Sequence, residues 1–168
     1  MKWVIVVGGV IAALGLLLTV AGALRPTDHV ATITVHLAKS DSAVWAVASD
    51  FPRVPEWFDE VKKVERIADV GGRPAWREQY GGFTVTNVVR EWEPNRKIVR
   101  EILPEGAFSG TWTLELAPDG AGTKLTITER GHVGNPFFRG MMMFADPRST
   151  MRKYAAALGK RLGVSAAH

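Results

Sequence analysis

The sequence predicts an α+β domain in which an antiparallel sheet folds against a long C-terminal helix, with an N-terminal transmembrane helix in front. Three observations carry this expectation. From Asn135 to Leu162 the apolar residues Phe137, Met141, Phe144, Met151, Ala155, Leu158 and Leu162 recur at alternating intervals of three and four, interrupted only where Arg148 takes the expected slot. That is one stripe of an α-helix. Between Val61 and His132, strand-like runs are separated by short turn-like pairs, and connections this short join antiparallel neighbours rather than βαβ crossovers. Trp3 to Leu24 is an uncharged run dominated by Val, Ile, Leu, Ala and Gly, about as long as a helix that crosses the hydrocarbon core of a bilayer.

A chain of 168 residues, 46% hydrophobic and 23% charged, has room for one domain and an appendage. We divide it into an anchor at 1–25, a linker at 26–29, a domain at 30–163 and a tail at 164–168. Cysteine is absent, which excludes disulfides, thiolate metal sites, catalytic thiols and lipid-modified cysteines. The net charge of +4 is modest and partly concentrated in the terminal helix. No Lys/Arg run has the clustering that nucleic-acid binding shows, so no nucleic-acid partner is expected.

Lys2 and Trp3 mark one interface of the apolar run, and Arg25-Pro26 mark the other, where proline ends the helix. A cleaved secretory signal is the competing reading, because Ala21-Gly22-Ala23 has the small-x-small form of a processing site; the run is longer than the core of about 7–15 residues that such signals use. Lys2 on one side, with Arg25 and Lys39 on the other, leaves the orientation open. Gly8, Ala12, Gly15, Thr19 and Gly22 share one helical face, and small residues there let another helix approach closely, so self-association is one expectation for this face.

Beyond the linker, Val30 to Leu37 alternates as a half-buried strand does. Ser40 caps a short helix from about Asp41 to Ser49, and the aromatics and prolines of Asp50 to Phe58 form a second helical turn held down by its rings. Strands are expected at Val61–Asp69, Ala75–Tyr80, Phe83–Trp92, Lys97–Leu103, Phe108–Ala117 and Thr123–His132. Asp146-Pro147 interrupts the terminal stripe, since Asp is a good N-cap and Pro suits only the first helical position, so the main helix should run from about Pro147 to Leu162. Arg139, Arg148, Arg152, Lys153, Lys160 and Arg161 make its outer face cationic.

This order resembles the helix-grip fold of the START-related, birch-pollen-allergen-like (SRPBCC) superfamily, and within it the polyketide cyclase/dehydrase and lipid-transport group. The resemblance rests on Ala38-Lys-Ser-Asp-Ser-Ala-Val-Trp45, on Asp50-Phe-Pro-Arg-Val-Pro-Glu-Trp-Phe58 running into Val61-Lys-Lys-Val-Glu65, and on Gly110-Thr-Trp-Thr-Leu-Glu115 with Thr123-Lys-Leu-Thr-Ile-Thr-Glu129. It implies a curved sheet wrapped around the terminal helix, with an elongated cavity between them.

Strand phase indicates what would line such a cavity. Leu125, Ile127 and Glu129 share a face of the last strand, Trp112, Leu114 and Leu116 one of theirs, Trp76, Glu78 and Tyr80 another, and Ile98, Arg100 and Ile102 a fourth. Glu78, Arg100 and Glu129 are thereby candidate polar groups in an apolar interior. They are open to three readings: a rim position facing solvent, a structural network in which Arg100 bridges the two glutamates, or contacts to the polar end of a ligand. Trp57, Phe58, Trp76, Phe108, Trp112 and Phe144 are plain core or ligand walls, and Met141 offers adaptable apolar surface near the mouth.

His29, His36, His132 and His168 lack metal-ligand spacing, so neither a metal nor a cofactor is expected. There is no Gly-x-Ser-x-Gly elbow, and Gly71-Gly72 and Gly81-Gly82 read as hairpin turns. The leading functional reading is a membrane-anchored module that binds a hydrophobic small molecule such as a lipid, a quinone or a polyketide-like ring system. Two others stay open: a cyclase/dehydratase-type enzyme using a pocket carboxylate, and an interaction protein without a ligand.

Overall fold

The computed structural model describes residues 2–106 and 108–167. Met1 and His168, the outer ends of the expected anchor and tail, lie outside them. The chain opens with α1 (Lys2–Ala23), followed by β1 (Asp28–Leu37), α2 (Asp41–Ala48) and a 3₁₀ turn at Phe51–Glu56. Six strands come next: β2 (Lys63–Val70), β3 (Arg73–Gln79), β4 (Thr84–Glu93), β5 (Lys97–Ile102), β6 (Ser109–Asp119) and β7 (Gly122–His132). Two helices, α3 (Pro136–Met142) and α4 (Ser149–Leu162), complete the chain.

The strands form one seven-stranded antiparallel sheet in the order β1-β7-β6-β5-β4-β3-β2. Strands β2 to β7 are a meander, as the short connections require, whereas β1 is carried across to pair with β7 from Asp28↔His132 to Leu37↔Thr123. Register shifts at Val89/Glu91 and Ile67/Val70 bend the sheet, because an extra residue on one strand raises the local twist.

The alternating residues Ile33, Val35, Ile98, Leu114, Leu125 and Ile127 are buried on the concave face, where Met151, Tyr154 and Leu158 of α4 complete the core. This is the sheet-around-helix arrangement expected above. Ser40 caps α2, its hydroxyl accepting from Ala43 N at 3.4 Å, and Val44 and Ala48 turn inward. The helix α4 stops at Gly163, whose φ of 72° lies in the left-handed region that glycine adopts without strain.

Two expectations about the C-terminal segment need correction. The helix breaks at Asp146-Pro147, but α4 begins at Ser149; the Asp146 side chain accepts from Arg148 N at 2.8 Å and holds a turn instead of capping. The apolar stripe also does not have a single partner. Met151, Ala155 and Leu158 face the sheet, while α3 swings away and packs on α1. The cationic outer face is largely neutralised within the molecule, since Arg152, Lys153 and Arg161 meet Asp146, Glu60 and Glu56.

The apolar helix α1 contains an 18-residue window, Val6–Ala23, with a mean hydropathy of 2.3, and only 6% of that window is buried. It is long and apolar enough to cross a membrane. Among the described residues it packs closely at its C-terminal end, where Gly22 is buried against Pro136 and Gly140 of α3.

Candidate functional site

Register places Arg100, Trp112 and Glu129 in one row across three adjacent strands: Arg100 pairs with Trp112, and Trp112 with Glu129. The row lies on the concave face, the phase read from the strands. Its two ends are built differently.

At the inner end, Arg100 and Glu78 are buried, 9% and 2% exposed. Arg100 Nη1 donates to Glu78 Oε1, and Tyr80 Oη donates to Glu78 Oε2 at 3.1 Å. The guanidinium also stacks over the Phe51 ring, 4.9 Å from its centroid. Burial alone would discourage the charge on Arg100, but the Glu78 carboxylate overrides that cost and holds its pKa above the ordinary value. Arg100 Nε and Trp112 Nε1 are buried and have no hydrogen-bond partner among the described residues. Both belong to residues lining an inner chamber of about 40 Å³, with Tyr154, Phe58, Asn87 and Ile102 among its other walls. That is room for a little ordered water or the tip of a larger molecule.

At the outer end, Glu129 does not reach Arg100. Its Oε1 lies 3.1 Å from His29 Nε2, brought there by the β1–β7 pairing. Glu129, Phe108, Trp112, Ile102, Phe83 and Thr150 line an open cleft of about 580 Å³. Tyr80, Ile102, Trp112 and Thr150 border both chamber and cleft, so the two adjoin and together make up a hollow between the rim and Arg100, divided at these side chains. A bridging network of three charged residues is therefore replaced by two separate pairs, because β1 supplies Glu129 with a partner of its own.

The remaining candidates fall into three groups. Phe58, Trp112 and Phe108 line the hollow. Trp57 stacks edge-on to Tyr154 at 5.2 Å and Trp76 edge-on to Phe51 at 5.0 Å, so both support walls without forming them. Met141 is 47% exposed in a side groove with Phe108 and Phe138, and Phe144 is 83% exposed, apart from the residues lining the hollow. Both ride on the segment that leaves the sheet for α1.

Phe51, Tyr154, Asn87 and Thr150 were not anticipated. Tyr154 could have been found, since it stands three residues after Met151 and four before Leu158 on the buried stripe. His29 could not, because only the β1–β7 register brings it to Glu129.

The two tyrosines of the chain, Tyr80 and Tyr154, both lie in this hollow. Burial pushes the Tyr154 phenol up to about 12, partly offset by the Arg100 guanidinium; burial and then the Glu78 carboxylate push Tyr80 higher still. Unfolded phenols titrate near 10, so above about that pH the folded chain keeps protons that the unfolded chain releases. Their contribution to stability is therefore complete below about pH 10; that of Tyr154 is lost as pH rises through 12, and that of Tyr80 at higher pH still. Near-ultraviolet titration should show no tyrosinate until the chain unfolds, when both phenols ionise together. A gradual one-proton curve centred near pH 10, with unchanged circular dichroism, would contradict the burial of these rings.

Among the described residues no group of three His, Asp or Glu could hold a metal ion, and His168 lies outside them. Comparison with solved structures shows the fold in proteins of low identity. The Zhui aromatase/cyclase from Streptomyces sp. R1128 superposes with a TM-score of 0.68 at 18% identity, covering 81% of this chain and 94% of its own. A START superfamily protein from Mycobacterium smegmatis gives 0.65 at 22% identity, covering 80% and 97%. Truncated norcoclaurine synthase from Thalictrum flavum gives 0.64 at 15% identity, covering 80% and 93%. No curated protein sequence matches the chain. The model of one family, described as polyketide cyclase / dehydrase and lipid transport, matches residues 28–162. With the curved sheet, the clasped helix and the hollow between them, that match over most of the sequence makes this chain a member of the polyketide cyclase/dehydrase and lipid-transport family.

Proposed function

We propose that the chain is a membrane-anchored binding module that holds a hydrophobic small molecule, a lipid, quinone or polyketide-like ring system, in the hollow between sheet and α4. The observation that carries this reading is a mostly apolar hollow whose inner part is lined by Arg100 and Trp112, residues with a buried, unpartnered Nε and Nε1. A cleft of about 580 Å³ is within the ordinary range for small-molecule sites. Arg100 Nε and Trp112 Nε1 are donors only, so the polar end of the ligand should carry an acceptor oxygen, such as a carbonyl. A buried donor without a partner is costly, and a ligand oxygen or water that meets it recovers that cost.

The anchor reading draws support from α1. A cut at Ala21-Gly22-Ala23 would fall where Gly22 is buried on α3 and its carbonyl accepts from Arg139 Nε at 2.9 Å. The small-residue face is thus partly used within the chain; Gly8 and Gly15 have nothing against them and remain open to a second helix. A cyclase/dehydratase reading rests on the His29–Glu129 pair at the cleft, an acid/base couple within reach of a molecule whose carbonyl lies at Arg100.

Thr150 is exposed on α4 and borders both parts of the hollow, so Thr150→Trp should block it without disturbing the core. Native mass spectrometry of the full chain released from lipid nanodiscs should show one retained apolar species, reduced about tenfold or more by this substitution. Release without an adduct, or with adducts equal in both proteins, would overturn the binding reading, the latter because lipids adhering to α1 survive a blocked cleft.

A further inference from the structure

The docking of α3 on α1 is not accounted for by ligand binding alone. A Cβ added to Gly22 would land on the carbonyl oxygen of Pro136, and one added to Gly140 on the carbonyl oxygen of Leu18. The two backbones meet at these glycines, as helices do in membranes where small residues replace side-chain packing. Pro136 lies at Gly22 and Gly140 at Leu18, so α3 runs back along α1, away from the domain. At 1.5 Å per residue, Leu18 is about 10 Å along the helix from Arg25, the interfacial residue.

The surface of α3 matches that depth. Phe137, Phe138, Met141, Met142, Met143 and Phe144 are all at least 36% exposed, a contiguous apolar patch continuous with the uncovered sides of α1. The one charge in the segment is consumed internally: Arg139 donates from Nε to Gly22 O, and from Nη1 to Val133 O at 2.8 Å and Gly134 O at 2.7 Å. It thus adds a second donor to the Gly22 carbonyl at the end of α1, which also accepts from Arg25 N at 3.1 Å. Phe108 is shared between the cleft and the groove lined by Phe138, Met141 and Met142, so cleft and patch adjoin at this ring.

We infer that α3 is a second membrane element, seated beside the end of α1 at the boundary of headgroups and acyl chains, and that it holds the mouth of the hollow on the bilayer surface. An apolar ligand then passes between lipid and hollow along Phe138 and Phe108 without crossing water. The inference rests on the anchor reading of α1, and it places a surface element at the depth of about 5–10 Å typical of interfacial helices.

Because the chain has no cysteine, single cysteines can carry an environment-sensitive fluorophore in the full protein. Four sites decide the matter: Leu14→Cys in α1, Phe138→Cys in α3, Phe144→Cys in the turn that follows α3, and Lys124→Cys on the outer face of β7. They are read in phosphatidylcholine/phosphatidylglycerol vesicles containing nitroxide-labelled lipid. The expected result is several-fold stronger lipid quenching at Leu14, Phe138 and Phe144 than at Lys124. If Leu14 is quenched while Phe138 and Phe144 behave like Lys124, the inference fails and the anchor stands. If Leu14 also behaves like Lys124, the anchor reading fails and takes the inference with it. Gly140→Leu, which forces the two backbones apart, should abolish quenching at Phe144 but not at Leu14; quenching retained at both would show that the docking does not place α3.

Discussion

Arg100→Met is expected to cost about 3–5 kcal/mol of stability, because it leaves the Glu78 carboxylate buried with only the Tyr80 hydroxyl to meet it. The guanidinium also covers the Phe51 ring, so packing is lost with the charge. The double variant Glu78→Gln/Arg100→Met should recover most of that loss, since a neutral amide still accepts from Tyr80 and no uncompensated charge remains. Urea unfolding of the two variants and of Glu78→Gln closes the cycle. A single variant that loses under about 1 kcal/mol, or a double variant no better than the single, would mean that solvent reaches the inner chamber and screens the pair. The ligand readout separates a second role: if Arg100 Nε meets the ligand oxygen, the stable double variant should still lose the retained species.

Trp112→Ala should lose a similar amount, about 3–5 kcal/mol, for a different reason. Trp112 is 8% exposed, stacks edge-on to Tyr154 at 5.9 Å, and forms part of the wall between inner chamber and cleft. Truncation merges the two spaces. Indole should then bind where the ring was and recover part of the lost thermal stability, by about 2.7 kcal/mol at a hundred times its dissociation constant, while leaving the native protein unchanged. Trp112→Phe isolates the orphan Nε1 proton: it sacrifices volume but removes an unsatisfied donor, so its cost should be far smaller. No indole rescue, with the predicted loss of stability present, would indicate that the walls collapse into the vacated volume.

Strand phase carried most of what was legible beforehand. A two-residue period needs only correct spacing, and it placed Arg100, Trp112 and Glu129 on the concave face because Ile98, Leu114, Leu125 and Ile127 fix that phase. The pairing of β1 with β7 was not legible, since it joins segments far apart in the chain and leaves no local mark. None of the three readings of Glu129 could therefore include His29 as its partner. The stripe through Phe137, Met141 and Phe144 shows the other limit. A periodic apolar face records that something covers it, and the pattern is the same whether that cover is a sheet, another helix or lipid. Only the close approach of Gly22 and Gly140 identifies the cover, and single glycines in an apolar helix are too common to announce it.

An open sheet has two rims with spare backbone groups, each a template on which a second copy could add a strand. On the β1 rim some of these groups are engaged: His36 N donates to Ala167 O at 2.8 Å and its carbonyl accepts from Ala167 N at 3.1 Å, while the Thr32 carbonyl accepts from Arg148 Nε at 3.2 Å. The β2 rim carries Lys63, Glu65, Arg66 and Asp69 and a bulge, so an approaching strand must desolvate charges on a twisted edge. Guarded rims let copies of the chain stand at high local density without adding strands to one another's sheets and growing into fibrils.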